Sequence, residues 1–567
     1  MIAVLVFLGV LLAPGDAAAE VPAPAPALTP ESRSLVVVNA RVFGHPGKTA
    51  VAVRDGLIDR VGDEATARAA AGPRAPAIDA GGGWVLPGLQ DCHLHLLSSS
   101  LGLDRPDLSS CNSVADVQKV LSARSGQGAT GPVVGQGWRY SIATEARPLS
   151  RTDLDAVSRD RPVVLESYDG HASWVNTKAL RDAGIDSGSR DPEDGTIVRE
   201  ADGKTPSGLL LEGAAALVNA RLPEPSAQEK ARALERGIAM CLQVGLTAVD
   251  TVERDEGAIG LLSELQRRGR LPIRVAVSLP LEGDLDRYDA LRSRLQTPFL
   301  GLGPLKAFID GVIESRTALM IRPYPGTDVR GKPMVERRRL FELVAAAHAR
   351  RFPVMVHAIG DGAVRMALDA FESAASRHPK IRLGHRIEHI EVVDPSDVPR
   401  FAKLGVVASM QPYHALPSAD ATSSDPWTTN LRDDQLPMTF AWRALARAGA
   451  TLAFGSDWSV VTIDPLPGIA VAATRTREDG LPAGGSQPHQ KLTVEEAIDA
   501  YTRGASIAVG RERELGRIDP GMRADLVVLS PEVRLDRPAS FFEGRVRHTI
   551  VDGVVRYSAG SGKPRPR

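Results

Sequence analysis

Two histidines separated by a single residue, His93 and His95, close the run Leu86-Pro87-Gly88-Leu89-Gln90-Asp91-Cys92-His93-Leu94-His95. On an extended strand, positions i and i+2 point to one face, so both imidazoles can reach a single metal ion. Three more candidate donors end apolar runs of their own: His357 after Pro353-Val354-Met355-Val356, His389 after Arg386-Ile387-Glu388, and Asp457 after Leu452-Ala453-Phe454-Gly455-Ser456. Singly, each reads as a hydrogen-bonded core histidine or a helix-capping aspartate. Their shared address favours a common site, because independent structural roles would not gather them all at the C-terminal ends of separate strands. Lys306, inside Leu305-Lys306-Ala307-Phe308-Ile309-Asp310, is costly to bury charged and must be paired, deprotonated or modified. Two readings stand side by side. Lys306 forms an ion pair with Asp310, or its neutral amine takes up carbon dioxide and becomes a carbamate whose oxygens bridge two metals.

The strands expected to carry these groups are Trp84–Leu89, Leu246–Val252, Ile273–Leu279, Leu305–Ile309, Val354–His357, Arg386–Ile390, Val406–Met410 and Thr451–Gly455. Helical stretches such as Gln228–Val244 and Arg338–Arg350 separate them, which is the alternation of an α/β fold, a (β/α)8 TIM barrel spanning 86–507. Such barrels hold their active sites at strand C-termini, where the candidate donors fall. More than one hundred residues separate the first two strands, too many for a loop, so residues from about 106 to 227 are expected to form an inserted subdomain. At both ends of the chain short β-branched runs flank Asp55-Gly56 and Asp552-Gly553, the residue pair of tight hairpins. Isolated hairpins are marginal, so segments 34–85 and 508–567 are expected to pair into one β-sandwich.

Lys plus Arg (68) balances Asp plus Glu (69), and no basic patch interleaves with aromatics, so nucleic acid is not an expected partner. Three cysteines, Cys92, Cys111 and Cys241, are too few for a disulfide scaffold, and Cys92 reads as a buried free thiol facing away from its histidine neighbours. Residues 1–19 read as a signal peptide, an apolar run followed by Ala17-Ala18-Ala19, and 20–33 as a Pro/Ala linker. No Lys or Arg precedes the apolar run; with the signal the protein is exported, to the periplasm, and without it cytoplasmic. No later run is long enough for a membrane span, and the oligomeric state cannot be read from the sequence.

This order of motifs resembles the amidohydrolase superfamily, in particular its long-chain family 3 branch similar to N-substituted formamide deformylase. The resemblance covers nearly the whole mature chain. It rests on Pro87-Gly88 through His93-Leu94-His95, on Asp169-Gly170-His171-Ala172-Ser173-Trp174-Val175-Asn176, on Lys306 with Asp310-Gly311 and Ser315-Arg316-Thr317-Ala318, on His357-Ala358-Ile359-Gly360-Asp361-Gly362, on Arg386-Ile387-Glu388-His389, and on Gly455-Ser456-Asp457-Trp458. It implies a metal site of His93, His95, Lys306, His357, His389 and Asp457, holding one or two divalent ions with Lys306 as a carbamylated bridge. Zinc suits such a donor set best, and manganese or iron would also fit. The implied activity is hydrolysis of an amide-like carbon–nitrogen bond in a small molecule by metal-bound hydroxide, with Asp457 carrying the proton to the leaving nitrogen. His171 either polarises the substrate or makes a structural hydrogen bond within the insertion. An ester or lactone hydrolase, a deaminase on the same barrel, and a catalytically silent exported binding protein are the competing readings. Val312-Ile313-Glu314 and Arg139 depart from the branch's usual residues, so no relative's substrate transfers.

Overall fold

The computed structural model describes residues 33–124, 131–143, 147–253, 256–295, 297–416 and 426–560; the signal-peptide reading, and all of the linker but its last residue, lie outside them. Nine short, mostly buried runs form parallel strands: β1 (Leu89–Leu94), β2 (Leu246–Val252), β3 (Arg274–Ser278), β4 (Leu300–Leu302), β5 (Leu305–Phe308), β6 (Val354–Ala358), β7 (Arg386–His389), β8 (Val407–Met410) and β9 (Leu452–Phe454). They pair in the orders β4-β3-β2-β1 and β5-β6-β7-β8-β9. β4 and β5 are halves of one extended run interrupted at Gly303-Pro304, since proline brings no N–H to a ladder. Both halves lie along the same neighbour, with Gly303 N donating to Val277 O (2.8 Å) and Lys306 N to Leu279 O (2.8 Å). At the opposite edges β9 reaches β1, where Asp457 N donates to His93 O (2.7 Å) and Ser456 N to Asp91 Oδ1 (3.0 Å). The connecting helices pack outside, and Leu234, Ile238, Leu340, Val344 and Phe371 close the main core against the strands.

The run expected as the first parallel strand divides in two. Trp84–Pro87 pairs antiparallel with Leu526–Leu529, and only the next segment, β1, joins the parallel set and carries His93. Gly88 is the changeover. Its N–H is taken by Asp525 O (2.7 Å), and a Cβ there would fall 2.1 Å from Thr247 Oγ1.

Segments from near both ends of the described residues pack together. A five-stranded sheet of Arg41–Val42, Trp84–Pro87, Leu526–Leu529, Val546–Val551 and Val554–Ser558 shares a core with a four-stranded sheet of Leu35–Val38, Ala50–Arg54, Leu57–Gly62 and Ala77–Asp79. Leu35, Val37, Val53, Leu526, Val528 and Ile550 fill that core. Asp55-Gly56 and Asp552-Gly553 turn with all four φ positive, the conformation the sequence pair favours. Buried Arg274 at the start of β3 clamps this unit to the parallel strands through Asp525 (2.6 Å) and Asp552 (3.2 Å).

Between β1 and β2 the chain builds a five-stranded sheet, in the order Gly195–Arg199, Pro206–Glu212, Ala172–Val175, Val163–Ser167, Val133–Trp138. Two separate cores serve it, one around Trp138, Leu154 and Trp174, the other around Val164, Leu180 and Leu210. No described helix is long and apolar enough to cross a membrane.

Candidate metal centre

His93 and His95 leave β1 on one face, as their spacing requires, and meet Asp457 beyond the end of β9. Their Nε2 atoms lie 3.3 and 3.1 Å from Asp457 Oδ1. A tetrahedral ion with ligand bonds of about 2.0–2.1 Å has edges of about 3.3 Å. Although both nitrogens approach so closely, Asp457 Oδ1 is buried without a well-directed hydrogen bond. Short separation without N–H direction is what two ring lone pairs and a carboxylate present to a shared cation, so the donor set fits a divalent metal. Burial works to raise the Asp457 carboxyl, but the His93 charge and the contacts of His93 and His95 outweigh it and hold Asp457 well below the usual range.

The remaining predicted donors surround this group without all joining it. His389 ends β7; its Nδ1 is 2.9 Å from Gln411 Oε1 and 3.9 Å from Asp457 Oδ2. His357, one residue before the end of β6, has its ring 4.4 Å from that of His389 and turns Nε2 toward Gly311 O (3.3 Å). Lys306 projects from β5, 3% exposed, its Nζ buried with no hydrogen-bonding partner among the described residues and 4.6 Å from the Phe308 ring centroid. Burial pulls its ammonium down to about 8. Of the two readings of Lys306, the ion pair with Asp310 is not formed among the described residues. Asp310 instead accepts the backbone N–H groups of Leu319, Ile359 and Gly360 at 2.7, 3.0 and 2.9 Å, and so organises the loops behind His357.

A layer beneath fixes the first histidine. Glu388, wholly buried, places Oε2 3.1 Å from His93 Nδ1 and Oε1 2.7 Å from Arg386 Nε, and accepts from Ser409 Oγ at 2.6 Å. Arg386 reaches on to Asp250 (2.6 Å). A carboxylate on the far nitrogen of a ligating imidazole sets which ring nitrogen offers its lone pair. Cys92 points the other way, as alternation predicts, with its thiol 3.2 Å from Ser409 Oγ. Burial pushes that thiol up, out of the nucleophilic range.

Above the floor lies a cleft of about 3440 Å³ whose opposite wall comes from the insertion. That wall delivers His171, whose ring centroid is 5.3 Å from that of His357. Glu212 Oε2 sits 2.7 Å from His171 Nδ1, and Glu212 Oε1 accepts from Thr317 Oγ1 at 2.8 Å. Burial opposes the charged imidazole, but the Glu212 charge and hydrogen bond prevail and push His171 up to about 10. Higher in the cleft, Tyr168 donates to Glu314 and the Trp427 indole to Glu391. Three residues that form or support this site are held at positive φ: Glu212 (φ 51°), His389 (φ 75°) and Asp457 (φ 55°). Each non-glycine residue in that region costs about 1–3 kcal/mol, and such strain gathers where function fixes the direction of a side chain.

All seven predicted site residues face this one cleft. Three neighbours had no role assigned from sequence: Gln411, His414 and Glu212. The signal for the first two was present, since Gln411-Pro412-Tyr413-His414 follows β8 directly, at the same address as the other donors. Glu212 lies in the insertion, where no strand order had been derived.

The amidohydrolase family profile matches residues 77–557. The chain is 31% identical over 520 residues to YtcJ of Bacillus subtilis (strain 168), covering 90% of this chain and 96% of that protein. It is 28% identical over 552 residues to N-substituted formamide deformylase of Arthrobacter pascens, covering 93% and 99%. A solved metal-dependent hydrolase from Pyrococcus furiosus, itself uncharacterised, superimposes with a TM-score of 0.65 at 26% identity, over 87% of this chain and 97% of that one.

Proposed function

The chain belongs to the amidohydrolase family of hydrolases acting on carbon–nitrogen bonds, and from that premise we propose that it cleaves an amide-like, non-peptide bond of a small molecule at a cation held by His93, His95 and Asp457. The observation that carries this reading is the convergence of both Nε2 atoms on Asp457 Oδ1, within 3.3 Å. His357, His389 and Lys306 complete the donor set, and zinc is the metal such donors favour. When bound, a divalent cation lowers the pKa of water toward neutrality and polarises a carbonyl.

The chain's own groups do the rest. Asp457, through Oδ2, accepts the proton of the attacking water and returns it to the departing nitrogen. His171, held by Glu212, presents its Nε2–H across the cleft to the carbonyl oxygen as negative charge builds there. Glu388 keeps His93 oriented, and burial, which pulls the Lys306 ammonium down to about 8, raises the share of neutral amine that carbamate formation needs. The insertion covers the floor and limits water to the reacting molecule.

The link between the parallel sheets at both edges supports reading 86–507 as a (β/α)8 barrel with an insertion at about 106–227. The shared core of the terminal sheets supports a sandwich of 34–85 and 508–567. We place residues 1–19 as a signal peptide and 20–33 as a linker, and the mature enzyme in the periplasm.

The test loads metal-free protein with zinc and screens formamides, N-acyl amines, N-acyl amino acids and aryl esters. Metal-dependent hydrolysis of an amide class is expected, together with loss of most bound metal in His93→Ala and His95→Ala at unchanged circular dichroism. Full metal content in both variants, or no amide turnover by loaded enzyme across the panel, would overturn the reading.

A further inference from the structure

Two carboxylates line the cleft without a part in the hydrolytic step: Glu314, on the loop after β5, and Glu391, two residues beyond His389 on the loop after β7. Glu391 is only 7% exposed. Its Oε2 accepts from the Trp427 indole at 2.5 Å. Its Oε1 meets no hydrogen-bonding partner, and no Lys, Arg or His pairs with this carboxylate among the described residues. A carboxylate withdrawn so far from water is costly unless a cation stands beside it. The charges that act on Glu391 most, those of Glu314, Asp310 and Asp169, are all negative.

Nothing in the cleft wall answers that charge. Glu314 is held by the Tyr168 hydroxyl, a neutral donor, and Asp310 by backbone N–H groups. Two arginines that line the cleft are engaged elsewhere. Arg316 Nε donates to Asn430 Oδ1 (2.7 Å), and the Arg139 guanidinium lies over the Tyr168 ring, 5.2 Å from its centroid. Trp427 is fixed from behind by Phe440, with ring centroids 5.6 Å apart and planes within 20°. An aromatic ring beside carboxylates suits a cationic nitrogen, which the ring face and the acid charges both attract.

We propose that Glu391 and Glu314, beside Trp427, seat a cationic nitrogen of the substrate, so that the amide cleaved here carries an ammonium group near its scissile bond. The nearness follows from the chain, since the Glu391 backbone lies at most about 7 Å from that of His389. This inference deepens the function proposed above and rests on the cleft being the active site.

Zinc-loaded protein is titrated calorimetrically with two matched pairs, 4-aminobutan-1-ol against pentan-1-ol and choline against 3,3-dimethylbutan-1-ol. Each pair shares its size and hydroxyl and differs in charge. The cation is expected to bind at least tenfold more tightly in at least one pair. Glu391→Gln and Glu314→Gln, which keep the side-chain volume, are each expected to cut that preference at least threefold. A preference below tenfold in both pairs, the result that a protonated and neutral Glu391 gives, overturns the seat. A cut of less than threefold in either folded variant overturns it too, because the cation then binds elsewhere. Binding is read without turnover, so the two readings fail separately. A cation preference without amide cleavage removes the reaction and leaves the seat; amide cleavage without the preference removes the seat alone.

Discussion

Replacing Glu388 isolates the support of the metal centre from the centre itself, because this carboxylate touches His93 without facing the cleft. It is 0% exposed and holds three partners: Arg386 Nε at 2.7 Å, His93 Nδ1 at 3.1 Å and Ser409 Oγ at 2.6 Å. Burial alone would raise its carboxyl, yet the Arg386 charge outweighs burial and holds it at about 2. Breaking a buried ion pair by removing one partner costs about 3–5 kcal/mol. Arg386 keeps Asp250 at 2.6 Å and the Cys92 carbonyl at 2.8 Å, so Glu388→Ala belongs at the lower end, about 3 kcal/mol. Glu388→Gln preserves the shape and the Ser409 contact and loses only charge, for about 2 kcal/mol. In both variants His93 loses the carboxylate charge that fixes its ligating nitrogen, and zinc affinity is expected to fall about 10- to 100-fold. Urea denaturation of metal-free protein gives the first quantity, and competition with a chromogenic chelator gives the second. Should Glu388→Gln shift stability by under about 0.5 kcal/mol and leave zinc affinity within twofold, the carboxylate merely fills space and the reasoning fails.

Asp457→Asn is expected to lower turnover by a factor of about 10² or more, with a smaller loss of bound zinc; near-normal rates at every pH would mean another group moves the proton. Reconstitution of metal-free protein is expected to be faster and more complete with added bicarbonate. A ¹³C-bicarbonate NMR spectrum should then show a carbamate signal that disappears in Lys306→Ala, and a spectrum without that signal would rule the modification out. Acid stability should report His385, buried among Phe371, His348 and the Val354 N–H, where burial lowers its imidazole to about 3. The unfolded chain takes up that proton near 6.5 and the folded one does not, so this contribution is whole above about 6.5 and is lost as pH falls toward 3. His385→Gln is expected to flatten the decline by up to about 1.4 kcal/mol per pH unit between pH 6 and 4, measured by urea midpoints; parallel slopes would refute it.

The parallel strands were legible because each is a short apolar run bounded by polar turns, and every predicted donor at their ends does face the cleft. What sequence could not show is a change of sheet inside one apolar stretch. Trp84–Leu89 reads as one strand, and the packing of Gly88 against Thr247 reveals the break. Of the two readings of Lys306, the pairing with Asp310 is absent because Asp310 is consumed by three backbone donors from other loops. Glu212 escaped notice because its partner His171 is 41 residues away on another strand of the insertion, a distance that only strand register closes. His414 escaped because one 3-10 turn carries no periodicity to mark which way it faces.

The floor and the facing wall of the cleft are separately stabilised, the wall by the cores around Trp138 and Val164 and the floor by the main core. On the proposed reading, bond-breaking chemistry and much of the molecular selectivity sit on parts of the chain that can change at different rates. Substitutions in the wall alter what enters without loosening the donors beneath. His171 is the point where this independence stops, because it belongs to the wall by sequence and to the floor by contact. A graft of a relative's segment spanning about 106–227 is thus a way to re-aim this enzyme at a new molecule, provided the graft brings its own histidine and carboxylate to that spot.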